Sequence, residues 1–245
     1  MNVIEVKDYQ EMSKRAAAYI LEKVRHSKKL NLGLATGGTP IGTYQNLIED
    51  HNENHTSYKD VTTFNLDEYA GISGDDPNSY RYFMNHQLFN HIDIDKSNTY
   101  IPQGDACDLK KECTDYEKLV SDHGGVDLQI LGIGSNGHIG FNEPGTSFES
   151  NTHIVELAQS TREANARYFS SFEDVPKKAV TMGIATIMKS REILLLISGE
   201  NKKEALSQFL HNEVTESFPA SILRNHPNVT IIADKAALAN EKVYI

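Results

Sequence analysis

Short apolar runs recur along the chain, each followed by a loop and then by an amphipathic stretch. The runs Val3–Val6, Asn31–Ala35, Val61–Leu66, Val126–Leu131, Thr152–Leu157, Ile193–Ser198 and Val229–Ala233 read as strands. The stretches Tyr9–Arg25, Ile41–His51, Ser79–Phe89, Leu109–Asp122, Ser160–Phe169, Lys202–His211 and Lys235–Ala239 read as helices. Within Ile193–Ser198 the first five residues are all apolar, with no polar alternation. A strand of that kind must be covered on both faces, the usual condition in a parallel sheet. Regular exchange of strand for helix predicts an α/β fold, with a mostly parallel sheet between two helical layers. No repeat, low-complexity tract or Pro/Ser-rich linker interrupts it, so residues 1–245 are expected to form one domain.

Composition narrows the setting. Of 245 residues, 39% are hydrophobic and 24% charged, enough apolar material for a sizeable core. Mean hydropathy is −0.46, and no apolar run approaches the roughly 18 residues of a membrane-spanning helix. The first residues, Met1–Asp8, lack the basic flank and apolar stretch of a secretory signal. Cys107 and Cys113 are the only cysteines and are expected to stay reduced, in a cytoplasmic protein. The net charge of −10 opposes nucleic-acid and anionic-membrane partners. An anionic ligand would therefore need cations and backbone N–H groups gathered locally.

Two glycine-rich loops follow strands, where open α/β sheets bind their ligands. After Asn31–Ala35 comes Thr36-Gly37-Gly38-Thr39-Pro40, with Thr39 placed as a helix N-cap and Pro40 at the first helical position. Free N–H groups and the helix dipole suit this loop to an anion, although a plain tight turn fits the same residues equally well. After Val126–Leu131, Gly132-Ile133-Gly134-Ser135-Asn136-Gly137 matches the dinucleotide fingerprint, and Glu156 follows at the spacing (about 20 residues) of a ribose-binding acid. That fingerprint requires a helix to start at the loop. Here His138-Ile139-Gly140-Phe141-Asn142-Glu143-Pro144-Gly145 follows, in which no useful helix fits, so a nicotinamide site is not expected.

The second loop offers acid–base groups instead: Asn136, His138 and Glu143. A histidine beside a carboxylate can be tuned for proton transfer near neutrality, whereas a lone histidine more often serves its own loop backbone. At the end of Val61–Leu66, Asp67 and Glu68 are consecutive, so in extended chain only one of them can face a given cleft. Proton transfer suits this pair better than a hard metal, for which no further oxygen ligands are evident. His51 and His55 share the i, i+4 spacing of a zinc helix, but the glutamate sits at the wrong offset and the stretch is polar. Arg167 and Lys202 are the candidate cations. A lysine at a helix start opposes the dipole, which makes sense if an anion binds beside it.

Taken together, Leu34–Pro40, Asn65-Leu66-Asp67-Glu68-Tyr69, Gly132–Gly145 and Thr161–Arg167 resemble the glucosamine-6-phosphate deaminase (glucosamine/galactosamine-6-phosphate isomerase) family, and the likeness covers nearly the whole chain. The resemblance implies a Rossmann-like three-layer sandwich acting on glucosamine 6-phosphate, with water, to give fructose 6-phosphate and ammonia. It makes Asp67 the base that moves the C2 proton to C1. His138 would assist ring opening, supported by Glu143 and Asn136, and the phosphate would be held by Thr36, Gly37, Gly38, Thr39, Arg167 and Lys202. No metal or organic cofactor is implied, and the 143–167 stretch is the candidate lid. A 6-phosphogluconolactonase-like hydrolase on a related fold is the nearest alternative, but ester hydrolysis needs no base at C2. An inert sugar-phosphate sensor would not need Asp67, His138 and Glu143 together.

Two positions depart from the family pattern. Asn136 stands where some members carry Asp; it cannot ionise, so a charge relay to His138 would run through Glu143. His153 and Val155 stand where allosterically activated hexamers carry an Arg and a Lys that bind a second phosphate. A monomer or small homo-oligomer is therefore expected rather than an allosteric hexamer. Saturation curves for glucosamine 6-phosphate are predicted to be unchanged by N-acetylglucosamine 6-phosphate; a clear fall in half-saturation on adding it would contradict this.

Overall fold

A computed structural model describes residues 1–239 and places seven strands in one parallel sheet. The amino-terminal elements are β1 (Asn2–Val6), α1 (Tyr9–His26), β2 (Leu30–Leu34), α2 (Ile41–Asn54) and β3 (Val61–Asn65). Then come β4 (Asp67–Tyr69), α3 (Tyr80–Met84), β5 (Thr99–Tyr100), α4 (Leu109–Asp122), β6 (Leu128–Leu131) and β7 (His153–Glu156). The remainder is α5 (Gln159–Asn165), β8 (Lys178–Thr181), α6 (Ile184–Met188), β9 (Glu192–Ile197), α7 (Lys203–His211), β10 (Val229–Asp234) and α8 (Lys235–Leu238). The large sheet runs β1-β10-β9-β6-β2-β3-β5, and every neighbouring pair is parallel. This is the expected α/β sandwich.

Burial explains why these runs became strands. In β9, Ile193, Leu195 and Ile197 enter one core while Leu194 and Leu196 enter the other. Each is at most 1% exposed, and full burial of such a side chain contributes about 1.5–3 kcal/mol. Met12, Ala16 and Ile20 of α1 and Tyr44 and Leu47 of α2 cover one face. Tyr116, Val120, Leu206 and Phe209, from α4 and α7, cover the other.

Six expected strands agree with β1, β2, β3, β6, β9 and β10 to within two residues. The seventh, Thr152–Leu157, differs: as β7 it joins a separate antiparallel sheet, β4-β8-β7. The residues of β7 are half-exposed or exposed, as suits a sheet covered on one face only. Ser160–Phe169 forms a seven-residue α5 followed by a 3-10 turn, Ala166–Tyr168. Ser79 caps α3 by accepting from the Tyr82 N–H, but the helix passes into a π turn at Asn85–Phe89. Thr39 is not the N-cap of α2. Pro40 occupies that place with φ −81° and ψ −8°, its carbonyl accepting from the Tyr44 N–H, and no side chain caps the helix.

Strand order positions the chemistry. From β2 the chain builds β3 on one side, while β6 pairs on the other through Leu32–Leu128 and Gly33–Gln129. At such a reversal the loops beyond the carboxyl ends part and leave a crevice. The four strands β3-β2-β6-β9 are contiguous. Their following segments carry Asp67, Thr36–Thr39, Asn136–Glu143 and Lys202.

Candidate active site

The chain leaves the large sheet at Leu66. The Leu66 N–H donates to Leu34 O, and its own carbonyl accepts from Met182 N at 2.6 Å. Asp67 then pairs with Thr181 in the small sheet. It is 6% exposed, and among the described residues none hydrogen-bonds its carboxylate. Burial, reinforced by the neighbouring Glu68, pushes the Asp67 carboxyl up to about 8.

Glu68 turns the other way, as extended backbone requires. It accepts from the Tyr69, Tyr80 and Arg81 N–H groups, each at 2.9 Å, and so ties β4 to the start of α3. Burial raises it to about 7, and those three N–H groups with the Arg81 guanidinium hold it from rising further. Asp67 thus keeps its carboxylate free of hydrogen bonds among the described residues, while that of Glu68 is taken up by the backbone.

The loop after β6 closes on Asp67 from the opposite wall. A β-carbon on Gly140 would lie 3.4 Å from Asp67 Oδ2 and 3.1 Å from Thr181 Oγ1, and its φ is +56°. The positive φ favours glycine, and a β-carbon would press on the Thr181 hydroxyl while only touching the carboxylate. Asn142, fully buried, donates to Ile139 O and Met182 O, both at 2.9 Å, fastening the loop to the end of β8. No helix follows Gly132–Gly137, as expected for a loop that is not a dinucleotide site.

Within this loop His138, Asn136 and Glu143 form one chain. His138 Nδ1 lies 2.8 Å from Asn136 Oδ1, and Asn136 Nδ2 donates to Glu143 Oε2 at 2.7 Å. Glu143 does not reach the imidazole directly, since its oxygen is 3.8 Å from Nδ1. The expected relay from Glu143 therefore passes through Asn136. The carboxylate can only accept, so the Asn136 amide must turn its NH2 toward Glu143 and its oxygen toward histidine. Nδ1 then carries the hydrogen, and Nε2 is left unprotonated. Burial lowers the His138 pKa, opposed by Glu143 and helped by Lys202, so the ring is neutral at physiological pH. Gly134 makes room for it: a β-carbon there would stand 2.2 Å from Nδ1.

The Thr36–Thr39 loop is held from below by two tyrosines. Tyr44 donates to Ala35 O at 2.5 Å. Tyr9 donates to Gly38 O at 3.0 Å and accepts from Gly42 N at 2.9 Å. Gly37 has φ +87°, which favours glycine. The two glycine loops meet where Thr39 Oγ1 lies 3.9 Å from a β-carbon position on Gly132. Tyr80, beside Tyr69 and near Asp67, also interacts with Thr36.

The two candidate cations differ. Lys202 is half-buried, its pKa lowered by desolvation, and close enough to depress His138. Arg167 is exposed; it donates to Tyr168 OH at 2.9 Å and lies 4.7 Å from that ring, with no hydrogen bond to the loop. Asp67, Asn136, His138, Glu143, the Thr36–Thr39 loop and Lys202 thus gather at one rim, with Arg167 outside it. His51 Nδ1 is bonded to Thr56 O, a structural role. A groove of about 810 Å³, lined in part by Tyr9, Lys14, Glu49, His86 and His91, contains none of the candidate catalytic residues.

A family profile described as glucosamine-6-phosphate isomerases/6-phosphogluconolactonase matches residues 7–232. The chain belongs to this family. A glucosamine-6-phosphate deaminase of Shouchella clausii is 60% identical over 237 residues, covering 97% of this chain and 96% of that one. Glucosamine-6-phosphate deaminase 1 of Bacillus subtilis is 54% identical, with 97% and 98% covered. A solved monomeric glucosamine-6-phosphate deaminase is 53% identical and superposes with a TM-score of 0.96 over 98% of this chain and 99% of its own. A 6-phosphogluconolactonase from Trypanosoma brucei shares the fold, at 20% identity and a TM-score of 0.79 over 98% of each chain.

Val155 packs on the apolar cluster of Tyr69, Phe141, Leu157 and Ala179, and His153 Nδ1 is bonded to Asn151 O. Gly140 and Tyr9 escaped the sequence reading because no spacing rule marks a glycine beside a carboxylate or a hydroxyl donated across the fold. Burial of Asp67 has a cost that can be measured. Its carboxyl is raised from 3.8 to about 8 on folding, so stability falls as pH rises across that interval. Asp67→Asn is predicted to melt about 4 °C or more above wild type at pH 8 and no higher at pH 4; a pH-independent difference would contradict this.

Proposed function

We propose that this chain catalyses the isomerising deamination of glucosamine 6-phosphate, taking up water and releasing fructose 6-phosphate and ammonia. The reading is carried by Asp67, buried at the crevice rim with no hydrogen bond to its carboxylate among the described residues, against the Gly140 turn of the loop that holds a neutral histidine. The deaminases at 54–60% identity over nearly the whole chain support it, whereas the 6-phosphogluconolactonase likeness at 20% concerns the fold.

The Thr36–Thr39 N–H groups and Lys202 bind the phosphate, joined by Arg167 when it turns inward. Binding energy at this remote group positions the sugar. His138 Nε2 takes the proton of the anomeric hydroxyl and returns it to the ring oxygen, opening the pyranose. The new C1 aldehyde acidifies the C2 hydrogen. Ionised Asp67 removes that hydrogen and delivers it to C1, while a proton passes from the amine to O1, so that C1 becomes CH2OH and C2 an imine. Water adds at C2, and ammonia departs to leave the ketose. Each proton transfer by a positioned group contributes about 10²–10⁴-fold. The low-dielectric site keeps Asp67 basic enough to abstract from carbon, and the neutral imidazole is the form that can accept from oxygen.

We place this reaction in the cytoplasm, carried out by a monomer or small homo-oligomer. Both cysteines are free, and the similar solved deaminase is monomeric. Asp67→Asn is predicted to lower ammonia release by about 10²–10⁴-fold with little change in KM. The acid limb of the wild-type kcat/KM profile should lie well above the ordinary carboxylate range, toward 8. Near-normal turnover by the variant, or an acid limb near 4, would contradict the assignment.

A further inference from the structure

Glu143 is held at both oxygens. Oε2 accepts from Asn136, and Oε1 accepts from the Thr161 hydroxyl at 2.5 Å. The second donor comes from a different part of the fold. Thr161 lies in α5, on a short arm that continues through the 3-10 turn to Arg167. Two contacts seat the arm. Phe169 meets the Tyr69 ring edge-on at 5.6 Å, beside Asp67. The Arg162 guanidinium lies 4.4 Å from the Phe172 ring and donates to the carbonyls of Phe172 and Val175. One short segment therefore bears both the cation proposed for the phosphate and the last donor in the His138 chain.

We infer that Thr161 is a positioning residue that completes the His138–Asn136–Glu143 chain only when the 159–168 arm is seated, so that arm position and imidazole basicity are set together. The inference rests on the catalytic reading of His138 given above. The hydroxyl draws charge from Glu143. Without it, the carboxylate acts more strongly through Asn136 on the imidazole and favours the imidazolium. The charged groups facing His138 are Glu143, which favours protonation, and Lys202, which opposes it. Loss of Thr161 strengthens the first and leaves the second unchanged. The Asn136 amide also loses part of the restraint that orients it, and with it the tautomer of His138.

The test compares Thr161→Val, which keeps the shape and removes the hydroxyl, with Thr161→Ser, which restores it. Titration of the His138 ring by NMR in the free protein reads the coupling without any substrate. Steady-state ammonia release gives kcat and KM separately. Thr161→Val is expected to raise the His138 midpoint and to lower kcat about 10–100-fold with KM changed less than about twofold. Thr161→Ser is expected to restore both. An unshifted midpoint in Thr161→Val, or a rise in KM with kcat unchanged, would overturn the inference, as would failure of Thr161→Ser to restore the titration. Absence of ammonia release from the wild-type protein would count against the deaminase reading, and the NMR titration would still decide the role of Thr161.

Discussion

Seven parallel strands all end at the same edge, and the order of those strands reverses between β2 and β6. Everything proposed for this chain depends on that reversal. It opens a crevice at the middle of the rim and lines it with the segments after four contiguous strands, β3, β2, β6 and β9. Groups as distant in sequence as Thr36 and Lys202 thereby come to one rim. The strands themselves are fixed by apolar side chains buried on both faces, as in β9. A change in strand register would move every one of these groups.

The same burial creates the chemistry. Asp67 sits where the chain passes from the large sheet to the small one, 6% exposed and, among the described residues, without a hydrogen-bond donor to its carboxylate. A carboxylate in such a place is a stronger base than one in solvent, and it is also destabilising when ionised. Its neighbour Glu68 is buried as deeply but receives three backbone N–H groups. Two adjacent acids are thus given different work by hydrogen bonding alone. On the opposite wall, burial acts on His138 in the reverse sense and keeps the imidazole neutral.

Much of this was legible in the chain. Six of the seven expected strands lie in the large sheet because short, mostly apolar runs bounded by loops leave few alternatives. The glycine-rich loops and Asp67 were visible because they directly follow such runs. Alternation in extended backbone also foretold that only one of Asp67 and Glu68 would face the cleft. Other features were not legible. β5, two residues long, is too short to stand out, and β7 joined the small sheet for lack of cover on its second face. Thr39 looked like a cap, yet the fixed φ of Pro40 let the proline start the helix. The Thr161–Glu143 bond and the Tyr9 bridge under the anion loop join residues whose proximity follows from packing, which no local pattern encodes.

A crystal structure of the protein with a glucosamine 6-phosphate analogue whose C1 is reduced to an alcohol tests the central claim most directly. Such a compound is held open-chain and cannot react. The account predicts the phosphate in the Thr36–Thr39 loop beside Lys202, with C2 about 3–3.5 Å from an Asp67 oxygen. The analogue seated in the α1–α2 groove, or bound at the rim with C2 out of reach of Asp67, would contradict it.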